Sequence, residues 1–202
     1  MRARTLLAGL ITGVLLAPGA AHATGPGLRE CATPSIDRLQ QWLASGEGTT
    51  VPANGSLLVP LRGGHHGKPR YAAQVAFVNA EWHVVVVWLG NRFEAQADLT
   101  RSAGFRLTYS ATEDLWVQLR PASHWSGGAQ WATTIPSTGG RLVTRFFSFR
   151  PQAWAAVPEL GVPAHTFASA LSEARGLVFV GKTANEIEFR GLRFDRYVPP
   201  CV

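Results

Sequence analysis

The sequence predicts an all-β fold: an antiparallel two-sheet β-sandwich of the jelly-roll kind, with one or two short helices. Three observations lead there. From Ser56 onward about ten short apolar runs follow one another, most alternating apolar with polar residues at the two-residue period of a strand. Turn signals separate them, among them GGHHGKP (63–69), Gly90-Asn91 and STGG (137–140). Cys31 and Cys201 lie near the two ends of the chain, and a jelly roll brings its first and last strands side by side, where such a pair can bond.

The elements follow in order. Arg2 and Arg4 precede an apolar run from Leu6 to Ala17 and the small-residue stretch PGAAHA, which ends in an A-x-A site at Ala21 to Ala23. This is the layout of a secretory signal peptide over residues 1–23. Residues 24–202 then form a single β-sandwich domain, a length that buries a sizeable core. Ser35 to Ser45 carries Ile36, Leu39 and Leu43 at spacings of three and four behind a Ser35 cap, which predicts a short helix that Trp42 docks. Strands are predicted over 56–61, 71–78, 82–89, 93–99, 105–110, 115–119, 130–134, 142–149, 177–180 and 186–197. A second helix is predicted over 166–174, capped by Thr166. Trp82 and Trp88 flank a run of four valines and read as core.

Charge and cysteine content narrow the function classes. The chain has 19 basic and 13 acidic residues, a formal net charge of +6. Its arginines are scattered singly through strands with no Lys/Arg block to track a phosphate backbone, so nucleic acid is not an expected partner. No apolar run is long enough for a membrane span, and the leader directs the protein outside the cytoplasm, secreted or extracytoplasmic, as a monomer. In that compartment the two cysteines read as a disulfide, Cys31 to Cys201, that ties the termini together.

The most informative stretch is DLWVQLRP, Asp114 to Pro121. Alternation sends Leu115, Val117 and Leu119 to the core and Trp116, Gln118 and Arg120 to the opposite face. An indole beside an amide and a guanidinium is a kit for stacking on the C–H face of a sugar and bonding its hydroxyls. Trp125 and Trp131 follow as rim candidates, and Arg145 and Glu188 as polar partners on later strands, all seven on one concave face.

DLWVQLRP, IPSTGG (135–140), LVTRFFSF (142–149) and the ending NEIEFRGLRFDRYVPPC (185–201) together make the chain resemble the galactose-binding-domain-like jelly rolls, which include carbohydrate-binding modules of the family eleven type. The resemblance implies a sandwich that binds a polysaccharide or surface glycan, in many members with a structural calcium ion. The chain departs from that pattern in having no Asp-rich calcium loop and no attached catalytic domain.

Other chemistries have less behind them. His65-His66, His83 and His124 fall at no recognisable metal spacing, so no metal site is assigned. No G-x-S-x-G elbow, P-loop or dinucleotide fingerprint is present. A polysaccharide lyase or glycoside hydrolase would need two placed carboxylates. Glu81, Glu113, Asp114, Glu186 and Glu188 are available for it. A structural or protein-interaction domain of the cell envelope is the third class. The sequence thus favours a non-catalytic glycan-binding domain without a cofactor.

Overall fold

A computed structural model describes residues 42–46, 49–52, 57–62, 70–79, 82–89, 96–121, 131–157 and 166–196. The predicted signal segment, Cys31, Cys201, His65, His66, His124 and Trp125 lie outside the described residues.

Among the described residues the alternating runs form twelve strands: β1 (Trp42–Ser45), β2 (Thr49–Thr50), β3 (Leu58–Leu61), β4 (Arg70–Phe77), β5 (His83–Trp88), β6 (Gly104–Ala111), β7 (Leu115–Pro121), β8 (Trp131–Ile135), β9 (Val143–Ser148), β10 (Ala155–Ala156), β11 (Ala174–Gly181) and β12 (Asn185–Phe194). The first sheet runs β1-β5-β11-β7-β8-β10. The second runs β2-β4-β12-β6-β9, with β3 also on β4. All pairings are antiparallel, and the two sheets make the predicted jelly-roll sandwich.

Inward residues of both sheets build one core. Val85 and Val87 of β5, Leu115, Val117 and Leu119 of β7, Leu177 and Phe179 of β11, Phe105, Leu107 and Tyr109 of β6, and Ile187 and Phe189 of β12 are all buried in it. Aromatic contacts knit the sheets: Trp42 stacks on Phe179 at 6.3 Å, and Phe179 packs on Phe189 at 4.7 Å. At the other end Phe149, Trp154 and Phe167 stack in turn, and Trp154 Nε1 donates to the Ser148 carbonyl at 2.7 Å. Gly104 sits at φ 151°, where its Hα faces the Phe147 carbonyl and the Phe146 ring, so a side chain there has neither the backbone conformation nor the space.

Several expectations change. The predicted second helix exists as α1 (Phe167–Ser172), with the Thr166 hydroxyl accepting from Ser169 N at 3.2 Å. Of the predicted first helix, residues 42–45 are instead strand β1, paired with β5 from Trp42↔Val87 to Ser45↔Val84. The apolar spacing suits both periods over so short a stretch, and the unpaired edge of β5 decides between them. Of 93–99 only 96–99 are described, and there Ala97 makes a single bridge to Ala174.

Trp82 and Trp88 are not core. Val85 and Val87 face inward, which turns Val84, Val86 and Trp88 to the outer face of the first sheet. Trp82, 43% exposed, lies edge-on to Trp116 at 6.2 Å on that side. The buried His83 ring stacks on Phe77 and bonds Thr49 Oγ1 at 2.8 Å and Asn79 Oδ1 at 2.6 Å, so both its nitrogens are taken within the fold. Among the described residues no helix is long and apolar enough to cross a membrane.

Candidate functional site

The seven residues singled out from the sequence do not share a face. Trp116, Gln118 and Arg120 lie on the outer face of the first sheet, because β7 is a first-sheet strand whose Leu115, Val117 and Leu119 point to the core. Glu188 belongs to β12 in the second sheet. The single concave face is therefore corrected to two faces on opposite sides of the sandwich.

Individual environments differ as well. Gln118 is 1% exposed, and its Nε2 has no partner. Burial holds the Arg120 guanidinium below its ordinary value, and Arg120 Nη2 reaches Gln118 Oε1 at 3.5 Å. Gln118 is thus closed to a sugar, and Arg120 is half-buried. Trp131 pairs with core-facing Leu119, and its ring packs edge-on against Phe167 at 5.7 Å, so it faces the core rather than a rim. Arg145 pairs with core-facing Leu107. It reaches solvent because β9 is the edge strand of its sheet, and Phe146 is the outward residue.

Trp116 keeps an open side. With Ala132, Thr134, Ala155 and Val157 it lines a groove of about 180 Å³. Its other neighbours are Lys182, whose Nζ stands 3.9 Å from the Trp82 ring centroid and 4.8 Å from that of Trp116, and the buried Val178 and Val180.

The larger opening lies on the second sheet. A trough of about 480 Å³ runs along β12 and is lined by Thr50, Gln74, Ala76, Ser110, Thr112, Gly140, Glu186 and Glu188. The register explains the set: Glu188 stands opposite Gln74 on β4 and Ser110 on β6, and Glu186 opposite Ala76. Ile187 and Phe189 go to the core, so alternation turns Glu186 and Glu188 into the trough. Both Glu188 oxygens are engaged. Oε2 accepts from Gln74 Nε2 at 3.0 Å, and Oε1 accepts from Arg190 Nε. Ala76, small and outward, leaves room beside the carboxylates.

One side of the trough is closed by Gly140, at the end of the IPSTGG connection that crosses from β8 of the first sheet to β9 of the second. Thr138 exchanges bonds with Ala111, its hydroxyl accepting from Ala111 N at 3.0 Å and its N–H donating to Ala111 O at 2.9 Å. Ser137 Oγ donates to Thr112 O at 2.6 Å, Ser137 N to Asp114 Oδ1 at 2.6 Å, and the Tyr109 hydroxyl to Pro136 O at 2.7 Å. Asn185 ties β12 to the same turn: its Oδ1 accepts from Thr112 N at 3.0 Å and Glu113 N at 3.2 Å, and its Nδ2 donates to Glu113 O at 3.0 Å.

The sequence reading found Glu188 as a binding residue and named Glu186 only as a carboxylate for a cleaving enzyme, and it missed Gln74, Ser110 and Thr112. Their common signal is an outward polar position on a strand beside β12, which needs the strand order to be recognised. Among the described residues no three His, Cys, Asp or Glu side chains group to hold a metal ion. Asp98 serves Thr100 and Asp114 serves Ser137, so the calcium implied by the resemblance has no donor set there.

No protein-family model matches the sequence, and no curated protein matches it. Solved structures do match. A family 11 carbohydrate-binding module of a cellulosomal cellulase of Clostridium thermocellum superposes with a TM-score of 0.50 at 10% identity, over 86% of this chain and 96% of that one. A module from Clostridium stercorarium in complex with cellobiose gives 0.40 at 12% identity, over 81% and 93%. An exo-beta-agarase gives 0.46 at 12% identity, with 77% of this chain matching 25% of the agarase. At these identities the likeness to the family 11 module is one of fold.

Proposed function

We propose that this chain is a secreted carbohydrate-binding domain that holds a polysaccharide or surface glycan in the trough along β12 and does not cleave it. Residues 1–23 direct export, and residues 24–202 form the binding domain. The observation that carries the reading is the juxtaposition of Gln74, Ser110, Glu186 and Glu188 at cross-strand spacing in an open trough. Amide, hydroxyl and carboxylate groups fixed in direction, on rigid strands, are what recognition of sugar hydroxyls needs. The modules that share the fold carry carbohydrate binding in their names, and this supports the same role here.

With both oxygens held by Gln74 and Arg190, Glu188 is arranged as a fixed acceptor rather than as a group free to shuttle a proton. Glu186 and Glu188 lie on one side of one strand, however, and two carboxylates in a trough also suit a polysaccharide-cleaving enzyme. The two readings separate simply. Cleavage would release reducing ends or unsaturated products from a glycan, and Glu188→Gln would abolish them.

The binding reading is tested by affinity electrophoresis of residues 24–202 through a panel of soluble glycans. Glu188→Gln should weaken retention about tenfold, the worth of one hydrogen bond to a charged group. Trp116→Ala, on the opposite face, should leave it unchanged. Retention lost in Trp116→Ala and kept in Glu188→Gln would move the site to the first sheet.

A further inference from the structure

The outer side of β12 changes sign along its length. Glu186 and Glu188 occupy the trough, and beyond them come Arg190 and Arg193. The register shifts between Phe189 and Gly191, and this bulge returns Leu192 to the core while sending Arg193 outward. Arg193 then stands directly opposite Arg106 of β6. Phe105 and Leu107 are core residues, so the Arg106 side chain points out on the same face.

Two like charges directly opposite each other on an antiparallel pair are destabilising. Among the described residues the ion pair on this face joins Arg190 to Glu188, and neither Arg106 nor Arg193 has a carboxylate partner. The next residue across the sheet from Arg106 is Phe146, 44% exposed, with the Arg106 guanidinium 5.3 Å from its ring centroid. An exposed aromatic edge beside two guanidiniums is a built corner for an anionic group carried on an apolar ring.

We propose that Arg106 and Arg193, flanked by Phe146, form a subsite for an acidic substituent, so that the ligand of the β12 trough is an acidic polysaccharide bearing carboxylate or sulfate groups. This deepens the reading of the trough as a glycan site and rests on it. The five-residue step from Glu188 to Arg193 spans roughly 15 Å of strand, room for a neutral sugar at Gln74 and Glu188 and an acidic one at the arginines. A uniform phosphate backbone suits the face less well, because it would have to lie over Glu186 and Glu188.

The experiment measures binding of residues 24–202 to polygalacturonate, dextran sulfate, unsubstituted dextran and mixed-linkage β-glucan, and to a DNA duplex, at low and at about 1 M salt. The wild type should bind at least one of the acidic glycans about tenfold or more tightly than the neutral ones at low salt, and high salt should remove most of the difference. The double variant Arg106→Gln/Arg193→Gln should lose that preference and keep an unchanged or higher Tm, since it removes like-charge opposition. Preference for polygalacturonate identifies a carboxylate, and preference for dextran sulfate a sulfate ester. Equal affinity of the double variant and wild type for acidic glycans overturns the inference, as does tighter binding of the duplex. If neutral glycans bind best and Glu188→Gln weakens them, the trough reading stands and this inference falls. If nothing in the panel binds, both fall.

Discussion

The outer faces of the two sheets descend from the same alternation rule and end in opposite states. On the first sheet the outward side chains of β5 and β11 include Val84, Val86, Trp88, Val178 and Val180, and the last two are 1% and 2% exposed. On the second sheet the outward side chains of β4, β6 and β12 include Gln74, Ser110, Glu186 and Glu188, which line an open trough. A strand thus takes the character of its outer face from its neighbours. Trp116 and Gln118 look like a glycan kit when DLWVQLRP is read alone, but β7 lies beside β11, whose ARGLVFVG is buried on both sides apart from Arg175. Near-continuous apolar runs such as LVFV and VVVV mark strands covered on both faces.

The sharpest test changes the charge on each face. Val180→Asp should cost about 4 kcal/mol or more, or prevent folding, because it buries a carboxylate among valines. Arg106→Gln on the second sheet should stay within about 0.5 kcal/mol of wild type. Urea unfolding of both variants checks the pair, and similar costs would erase the distinction between the faces. A smaller effect of opposite sign belongs to Gln118. Its Nε2 is buried with no hydrogen-bond partner, so Gln118→Leu should raise stability by about 1 kcal/mol and leave glycan retention untouched. A loss of retention would return Gln118 to a binding role.

The smallest expected effect is a slope with pH. Burial pushes the Tyr109 phenol above its ordinary value, with Arg145 opposing and Asp114 adding to the rise. A raised value in the folded state means that the unfolded chain loses its proton first. The contribution is fully present below the unfolded value of about 10 and is lost as pH rises from there through the folded value. Tyr109→Phe should lower Tm at neutral pH through loss of the bond to Pro136 O, and should flatten the alkaline decline seen by thermal melts between about pH 9 and 11. An equal decline in the variant would assign it to other groups.

Most strands were legible, because alternation over six to ten residues is a strong signal and turn residues bracket it. The error at Trp42–Ser45 comes from a four-residue strand, too short to distinguish the two periods until the edge of β5 is known. The site was harder. Glu188 could be placed outward from Ile187 and Phe189, but the partner of its Oε2, Gln74, lies 114 residues away and meets it only through the order β4-β12-β6. Arg145 was misplaced by its edge position, where an inward-parity side chain still reaches water. Fold therefore came from local periodicity, whereas the site depends on register, which no single strand encodes.

The IPSTGG crossing bears on the thermodynamics of capture. Backbone and hydroxyl bonds fasten it to 111–114 through Thr138, Ser137 and Asp114, so the trough has one wall set before any ligand arrives. A wall already ordered forfeits no conformational entropy on association. The heat of binding should then reflect exchange of sugar and protein hydration, with little contribution from loop closure.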